Sequence, residues 1–170
     1  MPYIDIGGMC LHYQNTGPNS GGHNPIVMLH ELGGSSESWQ AVTPCLVSNR
    51  QIIAVDFRCA GRSEKPTVPF ELEDVADDVA ALLSRCGMDQ VDVIGSALGA
   101  IVGILLAGRH PALVCRLALL PVAAGMGGRT ASYLAERAAR VRAARMRAVV
   151  DSSLAYAFPG SLAPAAAGHR

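Results

Sequence analysis

Residues 91–103, Val-Asp-Val-Ile-Gly-Ser-Ala-Leu-Gly-Ala-Ile-Val-Gly, decide the fold of this chain. The β-branched run at 91–94 predicts a buried strand, and the small residues after Gly95 predict a helix that packs closely on a sheet. A sharp turn between strand and helix serves catalysis when its apex holds a nucleophile, because small residues two before and two after it let the chain bend tightly. Gly95 and Gly99 are those two residues. The apex is therefore Ala97, which has no hydroxyl, thiol or carboxylate for attack.

Two further motifs follow predicted strands before this turn. Residues 29–39 read Leu-His-Glu-Leu-Gly-Gly-Ser-Ser-Glu-Ser-Trp, and residues 56–63 read Asp-Phe-Arg-Cys-Ala-Gly-Arg-Ser. Together with the turn, and in this order, they resemble the amino-terminal part of the α/β-hydrolase superfamily, closest to its small esterases, lactonases and C–C hydrolases such as 3-oxoadipate enol-lactonase. The likeness runs from residue 3 to residue 121. It implies part of an α/β-hydrolase fold, a doubly wound and mostly parallel sheet, followed by the start of a helical cap.

The sequence departs from the family pattern at three positions. Glu31 and Cys59 stand where glycine is usual, and Ala97 stands where serine is expected. The resemblance implies that position 97 is the nucleophile position of a nucleophile elbow. It also implies that the backbone N–H groups of Leu32 and Leu98 form the oxyanion hole. Only the departure at Ala97 removes chemistry outright.

Other side chains in the two loops carry weaker signals. His30 is interpreted as support for its loop, against the alternative of proton transfer. Glu31 either points to solvent or changes the polarity of the pocket mouth, and both alternatives stay open. The resemblance implies that Asp56 and Arg58 brace the loops near the active site. Cys59 would be a reactive thiol if neighbouring arginines favoured its thiolate, but no histidine lies close to it in sequence.

Composition limits the classes of partner. Half of the 170 residues are hydrophobic, 16% are charged and the formal net charge is zero. This predicts a globular core and a small, weakly charged ligand rather than nucleic acid or an anionic membrane. No cofactor and no metal site are expected, because the five cysteines show neither C-x-x-C nor a zinc-type spacing with histidine. The absence of a leader and of a long apolar run predicts a cytoplasmic protein with reduced thiols.

The remaining periodicities predict strands that alternate with helices, the order of a parallel sheet covered on both faces. A hairpin with a Gly7-Gly8 turn comes first. Residues 36–48 predict a helix kinked or broken at Pro44. The predicted strands are 25–29, 51–55, 91–94 and 114–121, and the predicted helices are 69–86, ended by Gly87, and 98–110. The residues predicted to be buried are Trp39, Ile53, Val55, Val93, Ile94 and Leu119.

Composition changes after residue 124, where Gly-Met-Gly-Gly at 125–128 predicts a flexible joint. Residues 1–124 are interpreted as the amino-terminal part of the α/β-hydrolase core, and residues 125–170 as the start of a helical cap or lid. Residues 130–150 predict a helix rich in alanine and arginine, whose arginine face either lies in solvent or binds acids or lipids. Residues 158–170 predict a loop or an irregular end.

Two functions of different class remain. The first is a hydrolase that cleaves a small ester, lactone or related carbonyl substrate by a serine mechanism and is inactivated here by alanine at position 97, as a deliberate serine-to-alanine exchange would do. The second is a natural non-catalytic relative that keeps the pocket as a binding or receptor module, since the fold does not decide between them. In the first, the acid and histidine of the triad come from a carboxy-terminal half that is missing from this chain or supplied elsewhere.

Overall fold

The computed structural model describes residues 2–19, 22–120, 128–145, 147–150 and 152, and these contain one six-stranded sheet. In space the strands follow the order β1-β2-β4-β3-β5-β6. β2 pairs antiparallel with β1 and with β4, and the other three pairings are parallel. The predicted mostly parallel sheet is confirmed. The strands are β1 (Tyr3–Asp5), β2 (Cys10–Thr16), β3 (Ile26–Leu29), β4 (Ile52–Val55), β5 (Val91–Ser96) and β6 (Val114–Leu120).

The centre of the sheet follows from its apolar sequence. All four residues of β3 and all four of β4 are buried, as expected for strands covered on both faces. One face packs against α2 (Leu72–Arg85) and α3 (Leu98–Arg109) through a core of aliphatic side chains. The opposite face carries a smaller cluster around Trp39. The sheet is therefore wound on both sides.

Residues 36–48 form two short helices rather than one. A 3₁₀ helix spans Ser36–Trp39, and α1 spans Thr43–Leu46 with Pro44 in its first turn. Proline is tolerated there because its missing N–H has no partner in a helix's first turn. The predicted break near Pro44 is confirmed, and so is the end of α2 at Gly87, which has a positive φ of 70° and donates its N–H to the carbonyl of Ser84 (3.0 Å).

The burial predictions hold at the centre of the sheet and fail at its end. Trp39, Ile53, Val55 and Val93 are buried, whereas Ile94 is only half-buried. The prediction for Leu119 is wrong, because 41% of this residue is exposed. The physical reason is the position of its strand in the sheet. β6 pairs only with β5 and is the last strand of the described sheet, so an apolar run there lacks a neighbour on one side.

Contacts divide the chain into two compact units, Met1–Ala123 and Ala124–Arg170. In the second unit, α4 spans Gly128–Ala144. Arg140, Arg142 and Arg145 are exposed, while Leu134 and Val141 are half-buried. These three arginines are thus in contact with solvent. Whether they bind acids or lipids stays a prediction. The predicted joint lies largely outside the described residues, and the predicted irregular end at 158–170 lies wholly outside them.

Candidate active site

A single residue separates β5 from α3. Ala97 has φ 48° and ψ −106°, a backbone conformation that residues other than glycine rarely adopt. Its N–H donates to the Leu120 carbonyl of β6 (3.0 Å), and its carbonyl accepts from the N–H of Ala100 (3.1 Å). The side chain is exposed. The structure thus places residue 97 at the apex of a tight strand-to-helix turn, with its side chain directed outward.

Close backbone approach explains the two flanking glycines. A Cβ on Gly95 would lie 2.4 Å from the carbonyl oxygen of Gly99. A Cβ on Gly99 would meet the carbonyl oxygens of Leu29 and His30, at 2.1 and 2.7 Å. Neither position accepts a side chain without displacing backbone. The same contacts bring the start of α3 against the end of β3, so the loop that begins at His30 lies beside the turn at Ala97.

His30 is held at both ring nitrogens. Its Nδ1–H donates to the Glu31 carbonyl (2.7 Å), and its Nε2 accepts the backbone N–H of Phe57 (3.2 Å). The ring is 1% exposed and packs on the Phe57 ring, with 4.3 Å between centroids. Burial lowers the pKa of His30, and the hydrogen bond to Glu31 and the nearby acidic charges oppose this only in part. Both ring nitrogens of His30 are therefore engaged in hydrogen bonds, and its role as loop support stays a prediction.

The loop after His30 carries the other predicted site residues. The Glu31 carbonyl also accepts the N–H of Gly34 (3.0 Å), which closes a turn around Leu32. The Leu32 side chain is exposed and that of Leu98 is half-buried. Among the hydrogen bonds between described residues, none has the backbone N–H of Leu32 or Leu98 as its donor. For Leu98 this follows from its place as the first residue of α3, where helix N–H groups lack an internal partner.

Glu31 does not extend freely into solvent. Its Oε1 accepts a hydrogen bond from the Ser38 hydroxyl (2.9 Å), and the residue is half-buried. The side chain lies over Gly34, since a Cβ built there would be 2.3 Å from Oε1. The carboxylate is therefore tied within its own loop.

Asp56 connects three segments below this loop. Its buried carboxylate accepts the backbone N–H of Ser36 (2.5 Å) and of Arg62 (2.8 Å), and the Nδ1–H of His12 (2.9 Å). Burial raises the pKa of Asp56, but the hydrogen bonds from Arg62, Ser36 and His12 outweigh it, so the pKa lies below its usual value. The aspartate braces the loops that follow β3 and β4.

The histidine partner of Asp56 was missed by the sequence reasoning. His12 and Asp56 form a buried pair that looks like part of a catalytic triad. However, β2 lies three strand spacings from β5, about 14 Å, so His12 is out of reach of residue 97. The only sequence signal was a histidine inside a predicted strand. The pair is structural.

The cations near Cys59 are engaged elsewhere. Arg58 forms a two-point ion pair with Asp78 of α2 (2.6 and 2.7 Å), and Arg62 pairs with Glu37 (3.1 Å). The described residues contain no group of three or more histidine, cysteine or acidic side chains able to hold a metal ion. They also include no helix long and apolar enough to cross a membrane.

Comparison with known proteins identifies the family. The family model described as the alpha/beta hydrolase fold matches residues 24–123. The chain belongs to the α/β-hydrolase family. Soluble epoxide hydrolase from Corynebacterium sp. (strain C12) is 37% identical over 121 residues, which are 71% of this chain and 41% of that protein.

Solved structures of α/β-hydrolases also match this chain over part of their length. The enol-lactonase from Burkholderia xenovorans LB400 superposes with a TM-score of 0.82 at 30% identity, over 91% of this chain and 58% of that one. Est816, an N-acyl homoserine lactone degrading enzyme, gives a TM-score of 0.70 at 25% identity, over 86% of this chain and 54% of that one. The chain thus spans between about two fifths and three fifths of these hydrolases.

Proposed function

We propose that this chain carries the nucleophile position and the oxyanion hole of a serine-type hydrolase acting on a small ester, lactone or related carbonyl substrate. Residue 97 is the nucleophile position, and the Leu32 and Leu98 amides are the oxyanion donors. The observation that carries the proposal is the strained, outward-directed Ala97. The Leu98 amide next to it, and the Leu32 amide in the adjacent loop after His30, have no acceptor among the described residues. With alanine at its apex, the chain is inactive in serine-type hydrolysis.

A serine at position 97 would attack the substrate carbonyl carbon and pass its hydroxyl proton to a histidine. The carbonyl oxygen, now negative, would accept the N–H groups of Leu32 and Leu98. Collapse would expel the alcohol or open the lactone, with the proton returned to the leaving oxygen by that histidine. Water, deprotonated by the same histidine, would then release the acyl group from the serine. His30 and His12 are not the base, because the first uses both nitrogens and the second lies too far away. We assign the base and its aspartate to the carboxy-terminal half of the fold.

The relatives support this substrate class. An enol-lactonase and an N-acyl homoserine lactone degrading enzyme both have names that denote lactone chemistry, and both share the fold over most of this chain. We further propose that residues 125–170 are the start of a helical cap. The five cysteines are free, which supports a cytoplasmic location.

A second candidate is a binding or receptor module. The observation in its favour is Ala97 itself, because the turn keeps its glycines and its strain without a nucleophile to present. Such a module would hold a small carbonyl compound on the Leu32 and Leu98 amides without turnover.

The deciding experiment compares Ala97 with Ala97→Ser in the protein that includes the carboxy-terminal half. We expect Ala97→Ser to restore hydrolysis of p-nitrophenyl acetate or γ-butyrolactone, with an acyl adduct on residue 97 seen by mass spectrometry. The matched controls Cys59→Ala and His23→Ala should keep that activity, since His23 is an exposed histidine in the loop before β3. Tight binding without turnover across a broad panel would favour the binding module. Equal turnover by Ala97 and Ala97→Ser would contradict the assigned nucleophile position.

A further inference from the structure

We propose that Glu31 makes the site select uncharged or cationic substrates and reject anionic ones. This deepens the proposed function and rests on it, because the Leu32 amide is taken as an oxyanion donor. Glycine is usual at this position in the resembling family, so the charge is a property of this chain.

The sheet register puts Glu31 level with the turn. Leu29 of β3 pairs with Gly95 of β5, and Glu31 and Ala97 each lie two residues beyond this pair, just past the ends of their strands. Neighbouring strands are about 4.8 Å apart, so the segments that hold Glu31 and Ala97 start side by side at the same edge of the sheet. The close approach of Gly99 to the Leu29 carbonyl brings the start of α3 against the end of β3.

The Glu31 carboxylate cannot move far from the Leu32 amide. Only five bonds join its carboxyl carbon to the Leu32 nitrogen, which limits their separation to about 6 Å. The Glu31 carbonyl is fixed by two hydrogen bonds, from His30 and from Gly34, and Oε1 is fixed by the Ser38 hydroxyl. The negative charge is thus part of the loop that offers the oxyanion donor.

No cation neutralises this charge within the part of the chain that the structure describes. None of the ion pairs between described residues includes Glu31. The neighbouring acid Glu37 differs, since it pairs with Arg62. A second negative charge about 8 Å from Glu31 would be disfavoured by roughly two- to thirtyfold in affinity at a partly exposed site. An anionic acyl group meets that penalty, and an amide or ammonium group does not.

The test is a binding titration of this chain. Binding is monitored through the backbone amide signals of Leu32 and Leu98 in ¹⁵N NMR spectra. The probes are butyrate, butyramide and butylammonium, which share a chain and differ in charge. We expect butyrate to bind more weakly than butyramide, and Glu31→Gln to shift their affinity ratio roughly tenfold towards butyrate. Glutamine keeps an oxygen for Ser38, so the loop stays in place. Glu37→Gln, the same charge change on a paired acid, should leave the ratio unchanged.

The proposal is overturned if the ratio moves by less than twofold in Glu31→Gln, if Glu37→Gln moves it equally, or if none of the three probes shifts either amide. Turnover is scored separately in the Ala97→Ser protein. A shifted ratio without turnover supports charge selection by Glu31 and counts against the hydrolase. Turnover with an unchanged ratio keeps the hydrolase and sinks the role of Glu31.

Discussion

Replacing Ala97 with glycine should stabilise the first unit, although glycine is normally the more destabilising residue. With φ 48° and ψ −106°, Ala97 lies in a sparsely populated backbone region, where a residue other than glycine costs on the order of 1–3 kcal/mol. Glycine removes most of that strain but gains about 0.4–1 kcal/mol of freedom in the unfolded chain. The side chain is exposed, so no burial is lost. The net expectation for Ala97→Gly is a gain of about 1 kcal/mol in the free energy of unfolding.

Urea unfolding followed by tryptophan fluorescence measures this change. Trp39 is the single tryptophan of the chain and is buried against the sheet, so its signal reports the first unit. A gain of about 1 kcal/mol raises the urea midpoint by about 0.5 M. Ala97→Ser keeps a Cβ and should leave the midpoint unchanged. Ala100→Gly is the matched control, because it lies fully buried within α3 and should lose about 2 kcal/mol in helix preference and methyl burial.

A midpoint for Ala97→Gly equal to or below that of the parent protein would refute this reasoning. It would mean that residue 97 relaxes in solution to a conformation without strain. The turn would then not hold a side chain outward, and the assignment of the nucleophile position would lose its structural basis.

Three further outcomes are expected. Gly99→Ala should lower the free energy of unfolding in urea by about 3 kcal/mol or more, since its Cβ would overlap the carbonyl oxygen of Leu29. Gly108→Ala has open space around it and should be neutral or stabilising. Equal effects would contradict the close approach of Gly99 to β3. His30 has a pKa below its ordinary value of 6.5, so its contribution to the free energy of unfolding is fully present above pH 6.5. That contribution is lost as pH falls, by up to about 1.4 kcal/mol per pH unit, until the pKa of the folded state is reached. His30→Asn should therefore make the urea midpoint less dependent on pH between pH 7.5 and 5. Cys59→Gly should raise the free energy of unfolding, measured in urea, by about 0.5 kcal/mol, because Cys59 has a φ of 65°. A clear loss would show that its side chain contributes more than its strain costs.

The centre of the fold was predictable because its strands are short apolar runs separated by turn residues. β3 and β4 lie within a residue of their predicted bounds. The end of the sheet was less predictable. Leu119 sits in the apolar run 117–120 of β6, and periodicity alone cannot tell a central strand from one at an end. Burial there depends on neighbours that the local sequence does not specify.

The candidate site divides in the same way. The glycines at 95 and 99 were predictable because a tight turn restricts residue size within five positions. The His12–Asp56 pair was not, since its members are 44 residues apart and meet only because β2 lies beside β4. For Glu31, the sequence left two orientations open. The structure adds a hydrogen bond from Ser38, seven residues further on, and both alternatives stay predictions.

The shared carboxylate of Asp56 also has a consequence for local opening. The amides of Ser36 and Arg62, 26 positions apart in sequence, donate to the same side chain. Neither loop can detach without leaving a buried carboxylate short of a donor, which costs more than an ordinary hydrogen bond. The two amides should therefore exchange with deuterated solvent in a single cooperative event at matching rates, so that the loops following β3 and β4 form one unit of local stability.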